Sequence, residues 1–206
     1  MNRLLTRAAR FRATTVREWW RLTFFAFLSA LFLLANCTQR RPLEVYNTVP
    51  PFTLTAHTGE EFHSEGILKG KVWIADFIFT TCTGPCPRMT SQMKRVQAEL
   101  KDQPEVVLVS FTVDPENDTP PTLAEYARRH GAESGRWYFL TGAKETLHKL
   151  NREVFMLGNV DGNLDHSTRF VLVDRTGRVR KYYQTDESGF LADLVADARA
   201  LLHGQG

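Results

Sequence analysis

Two runs of almost uninterrupted apolar sequence constrain this chain most: VWIADFIF at residues 72–79 and VVLVSFTV at 106–113. A strand with one wet face alternates apolar and polar residues, whereas a strand covered on both faces reads as a continuous apolar run. Each run is followed by a helical pattern. Residues 87–101 carry Met89, Met93, Val96 and Leu100 along one stripe. Thr119 is suited to cap a second helix, with Pro120 at its first position and Tyr126 and Arg129 further along. A short strand is expected at 137–140, a helix at 144–155, a hairpin at 169–174 and 179–184 around Arg175-Thr176-Gly177, and an amphipathic helix at 190–202. Strands alternating with helices, then a hairpin and a helix, predict an α/β sandwich with a mixed central sheet flanked by helices.

A chain of 206 residues, 43% apolar and 24% charged, has material for one domain with a real core and is neither disordered nor polytopic. Its net charge of +3 hides an asymmetry. Residues 1–21 hold six arginines (Arg3, Arg7, Arg10, Arg12, Arg17, Arg21) against Glu18 alone, so the remainder carries 20 basic and 22 acidic residues. A body with a net charge of −2 lacks the basic face that nucleic-acid binding needs. Three cysteines are too few for a disulfide-stapled scaffold.

The arginine-rich start is followed by 18 uncharged residues, 22–39, with LTFFAFLSALFLLA at their centre. The positive-inside bias leaves the N-terminus in the cytoplasm and exports the rest, giving an N-terminal hydrophobic anchor. Leu34-Ala35-Asn36-Cys37 resembles a bacterial lipobox, which would make Cys37 a lipidation site. An uncleaved signal anchor and an organellar presequence are the other readings. The expected organisation is a leader with anchor or lipoprotein signal at 1–37, a proline-broken tether at 38–50, and one domain at 51–206. The domain would be membrane-held and extracytoplasmic, on the periplasmic side in a bacterium or in the intermembrane space of a mitochondrion.

The most informative stretch is Phe79-Thr80-Thr81-Cys82-Thr83-Gly84-Pro85-Cys86-Pro87, between the first buried strand and its helix. Pro87 suits a first helical position, which would make Cys86 the N-cap and put Cys82 on the loop just before it. The positive end of the helix dipole would then lower a thiol's pKa. Three intervening residues let both sulfurs reach one small ion or each other. Two soft thiolates select Cu(I), Zn(II) or an iron–sulfur centre, and the same pair can cycle between dithiol and disulfide. Asp76, in the middle of the strand six residues before Cys82, should have a raised pKa through desolvation.

Residues 79–87 resemble the copper-site motif of the SCO/SenC family, thioredoxin-fold assembly factors for the dinuclear copper centre of cytochrome c oxidase. Pro51-Phe52-Thr53-Leu54 with Gly59 and Phe62 resembles the family's opening hairpin. The stretch from Val113 to Pro120, with Asp114-Pro115-Glu116, resembles its turn after the second buried strand, and Asp165-His166-Ser167 the segment with its histidine ligand. The resemblance spans roughly residues 50–203. It implies a thioredoxin-like sandwich with copper, as Cu(I) or Cu(II), held by Cys82, Cys86 and His166, and Asp114 close to the site. It also implies two partners, the copper-bearing subunit of cytochrome c oxidase and a copper donor or thiol reductant, beside the membrane reached through the N-terminal anchor.

His57, His63, His130, His148 and His203 fall in hairpins or on polar helix faces, where a solvated role is expected. Met89 and Met93 have core spacing rather than ligand spacing. The alternative activity is thiol–disulfide exchange at a Cys82–Cys86 redox pair. Gly84-Pro85-Cys86 and the buried Asp76 resemble thioredoxin features. However, thioredoxin-type oxidoreductases carry a proline opposite the cysteine pair before the late hairpin, and this chain has no proline after Pro121. The reading favoured by sequence is a copper carrier, with reduction of a partner's cysteines as a second use of the same pair.

Overall fold

In a computed structural model, residues 42–158 and 167–204 are described. The two apolar runs form neighbouring parallel strands, β4 (Val72–Ile78) and β5 (Val106–Thr112), every residue of which is buried. Both faces of these strands are covered, which explains the continuous apolar sequence. Ile74, Ile78 and Leu108 point into one core with Met89, Met93, Val96, Leu123, Leu194 and Ala198. Trp73, Ala75, Phe77, Val107, Val109 and Phe111 point the other way, onto Phe52, Phe62, Leu150 and Phe155.

Among the described residues the sheet has eight strands. The others are β1 (Asn47–Thr48), β2 (Thr53–Ala56), β3 (Glu61–His63), β6 (Trp137–Thr141), β7 (Arg169–Val173) and β8 (Arg178–Gln184). The order is β1-β8-β7-β4-β5-β6-β2-β3, with β4, β5 and β6 parallel and the remaining neighbours antiparallel. The helices are α1 (Ser64–Ile67), α2 (Cys86–Glu99), α3 (Pro120–His130), α4 (Lys144–Lys149) and α5 (Phe190–Leu202). The α/β sandwich with a mixed sheet is therefore as expected. None of these helices is long and apolar enough to cross a membrane, and the run at 22–39 and Cys37 lie outside the described residues.

Local details depart from the sequence reading. The helix expected at 144–155 is interrupted: α4 ends at Lys149, and Leu150–Val154 forms a π turn that aims Leu150, Val154 and Phe155 at the core. Thr119 is the N-cap of α3, but its hydroxyl pairs with that of Thr122 at 2.9 Å instead of capping a backbone N–H. Gly131 ends this helix in the left-handed region at φ 72°, where a side chain would be strained.

The second half of the stretch expected as a tether lies on the sheet. Asn47 and Thr48 pair with Val179 and Arg178, and Val49 N–H donates to the Gly177 carbonyl at 2.8 Å. The buried Arg180 donates to the carbonyls of Leu43 (2.5 Å) and Glu44 (3.1 Å) and to the Asp174 carboxylate (2.8 Å). An arginine's fixed fork of donors can serve a carboxylate and two carbonyls together, so one buried cation secures residues 43–44.

Candidate metal centre

The cysteine pair stands where the parallel strands end, the edge at which open sheets of this kind place their sites. The chain leaves β4 through Phe79, Thr80 and Thr81 and enters α2 at Cys86. The first helical hydrogen bond runs from Met89 N–H to the Pro85 carbonyl, so Pro85, not Cys86, is the N-cap. This places Cys86 one position deeper than expected and Pro87 second in the helix. Both prolines are accommodated because first-turn N–H groups have no helical partner to lose.

Cys82 and Cys86 are both free thiols and both buried, 7% and 2% exposed. Their side chains are within hydrogen-bonding reach of each other. The expectation of a lowered pKa fails at Cys86. Burial pushes its thiol up to about 12, the adjacent Cys82 adds to the rise, and a hydrogen bond from the Phe79 backbone offsets only part of it. Removal from water outweighs the helix dipole. Cys86 is thus a protonated thiol at neutral pH unless a metal displaces its proton.

A polar patch underlies the pair. Thr90 donates its hydroxyl to the Cys86 carbonyl at 2.9 Å and shares a 2.8 Å hydrogen bond with Tyr126 on α3. Burial raises Tyr126 to about 12, so its phenol stays neutral. Asp76 faces the same side of the sheet and is completely buried. Desolvation lifts its carboxyl to about 7, as sequence reasoning expected. Asp76 lies near enough for its charge to bear on both Cys86 and Tyr126.

Asp114 sits half-buried in the turn after β5. Its N–H donates to the Thr112 hydroxyl at 2.9 Å, and its carboxylate accepts from Asn117 Nδ2 at 2.8 Å. This turn flanks the cysteine loop, since Val113 N–H donates to the Ile78 carbonyl at 2.9 Å. Met89 and Met93 are core residues, 1% and 0% exposed. His57, expected on the surface, is half-buried and accepts a hydrogen bond from Phe139 N–H at 3.2 Å. His166 lies outside the described residues, 159–166 being among the rest of the chain. Among the described residues no three His, Cys, Asp or Glu side chains converge as a metal site.

Sequence reasoning missed Asp118, which is fully buried between the two loops. Its carboxylate accepts from Thr80 N–H (3.1 Å), Thr80 Oγ1 (2.5 Å) and Thr112 Oγ1 (2.5 Å). In sequence Asp118 reads as one more polar residue of a turn. The only available signal was its position just before the Thr119-Pro120 helix start.

The SCO1/SenC family model matches residues 40–202. The chain belongs to the SCO1/SenC family. The SCO1 protein homolog of Bacillus subtilis is 35% identical over 181 residues, covering 85% of this chain and 93% of the relative. The solved structure of BsSco, described as a member of the Sco family of cytochrome c oxidase assembly proteins with a disulfide switch, has a TM-score of 0.69. It is 34% identical and covers 80% of this chain and 99% of the other. Copper-bound ScoI of Bradyrhizobium japonicum has a TM-score of 0.61 at 26% identity, covering 74% and 98%. The SCO1/SenC chain described here shares with these structures its mixed sheet flanked by helices.

Proposed function

We propose that this protein is a membrane-tethered copper carrier that delivers copper to the dinuclear copper centre of cytochrome c oxidase during assembly. The observation that carries the proposal is the pair of free thiols, Cys82 and Cys86, buried side by side at the head of α2 in a chain of this family. Two thiolates are soft donors suited to Cu(I), and a neutral imidazole from His166 completes a trigonal set that also suits Cu(II). Copper is the cargo in this scheme. Arrival of the ion displaces the thiol protons, burial shields the sulfurs from oxidation, and exchange with a partner's ligands passes the ion on.

Membrane attachment through 22–39 or a lipidated Cys37, and an extracytoplasmic domain, belong to the same proposal. The organisation as leader, tether and domain does so too, with the tether shortened to the residues before Leu43 by the contacts of Arg180.

A second reading, reduction of a partner's cysteine pair, draws on the mutual reach of the two thiols and on the buried Asp76 beneath them. Against it stands the lack of a proline before the late hairpin, since the chain has none after Pro121. The two uses exclude each other at any instant, because a disulfide does not ligate copper.

Titration of the reduced, detergent-purified full chain with chelator-buffered Cu(I), wild type beside His166→Ala, separates them. The copper reading expects strong binding by wild type and at least tenfold weaker binding in the variant, since losing a ligand costs no less than the roughly 10- to 100-fold typical of losing a group that merely orients one. A wild type that takes no copper yet reduces a model disulfide, unaffected by His166→Ala, would establish the reductase instead.

A further inference from the structure

A fully buried carboxylate is costly unless its lone pairs are used, and Asp118 uses them on two loops at once. Among the described residues no ion pair includes it. Its partners are neutral donors: the N–H and hydroxyl of Thr80, and the hydroxyl of Thr112. Thr80 follows β4 and stands two residues before Cys82. Thr112 closes β5, and its hydroxyl oxygen also accepts the Asp114 N–H at 2.9 Å. The Asp118 N–H in turn donates to the Asp114 carbonyl at 2.8 Å. One carboxylate therefore joins the approach to Cys82 with the turn that carries Asp114.

The consequences reach both sulfurs. Thr80 lies between Phe79, whose backbone bonds to the Cys86 thiol, and Cys82, whose N–H donates to the Phe79 carbonyl at 3.3 Å. Any displacement of Thr80 shifts the Phe79 contact to one sulfur and the backbone that bears the other. The Asp118 oxygens are occupied by these donors, so the residue acts through the loop and not as a ligand.

We infer that Asp118 is a positioning residue for the cysteine pair, holding Thr80 so that Cys82 and Cys86 stand in register to share one soft metal ion. This inference rests on the copper reading above. Groups that orient metal ligands typically account for 10- to 100-fold in metal affinity.

The test compares wild type, Asp118→Asn, Thr80→Val and Thr80→Ser as reduced full-length chains in detergent. Cu(I) affinity is read by chelator competition, the thiolate-to-copper absorption band is read on the Cu(II) form, and folding by thermal melting. Asp118→Asn and Thr80→Val should each lose about tenfold in Cu(I) affinity and shift the absorption band, while Thr80→Ser, which keeps the hydroxyl, behaves as wild type. Wild-type affinity and spectrum in both Asp118→Asn and Thr80→Val would overturn the inference, as would an equal loss in Thr80→Ser. Should Asp118→Asn fail to fold, the contrast between the two Thr80 variants decides. A wild type that binds no copper would instead remove the copper reading, and this inference with it.

Discussion

Asp76 and Ser110 stand opposite each other in the parallel register of β4 and β5, yet neither oxygen of the Asp76 carboxylate completes a hydrogen bond. The Ser110 hydroxyl, which accepts from Trp137 Nε1 at 3.0 Å, favours the ionised form but is outweighed by burial. Desolvation therefore dominates and lifts Asp76 from 3.8 to about 7. Between these values the folded state keeps a proton that the unfolded chain has released, so stability falls as pH rises from about 4 to about 7. Asp76→Asn removes this titration. Its melting temperature should rise relative to wild type as pH goes from 5 to 8, and a constant difference would refute the assignment.

Cys86 has the same sign of shift with a different consequence. A thiol at about 12 must surrender its proton when copper binds, so uptake competes with protons across the neutral range. Apparent Cu(I) affinity should climb at least tenfold per pH unit between 6 and 8. Cu(I) competition titrations at several pH values measure the slope, and a flat profile would mean that the Cys86 thiolate is not a ligand.

Arg180 predicts behaviour at the other end of the domain. Burial by itself would raise Asp174, but bonds from Thr176, Arg178 and Arg180 outweigh it and hold the carboxyl at about 2. The stability this supplies is present above about 4 and lost as pH falls towards 2. Arg180→Leu leaves the buried Asp174 carboxylate short of the more buried of its two cations and frees the carbonyls of Leu43 and Glu44. A destabilisation of about 3 kcal/mol is expected, with acid unfolding at higher pH and faster proteolysis within 43–49. Unchanged proteolysis there would contradict the role assigned to Arg180.

Met93 separates packing from ligation. It is completely buried on α2, and Met93→Ala should cost about 2–5 kcal/mol in denaturant unfolding. Met93→Leu should keep most of the stability and all of the copper affinity. A loss of copper binding in Met93→Leu would make the thioether a ligand after all.

Much of this architecture was legible in the chain because β4 and β5 are covered on both faces, and a doubly buried strand reads as a short continuous apolar run such as VWIADFIF. The stripe of Met89, Met93, Val96 and Leu100 marked α2 because only one face of that helix is buried. The π turn at Leu150–Val154 was not legible, since its apolar residues fit a regular helix until the core demands that they be re-aimed. The Cys86 pKa was misjudged because a sequence displays the helix start but not the depth of burial. Asp118 was overlooked for a related reason. Its partners Thr80 and Thr112 are 38 and 6 residues away and meet it only through sheet register.

The central claim, one copper ion shared by Cys82, Cys86 and His166, is tested most directly by X-ray absorption on the copper-loaded full chain. One copper per chain with two sulfur neighbours and one imidazole nitrogen is the predicted result, the nitrogen vanishing in His166→Ala and one sulfur in Cys82→Ser. A first coordination sphere without sulfur, or one unchanged by either substitution, would contradict it.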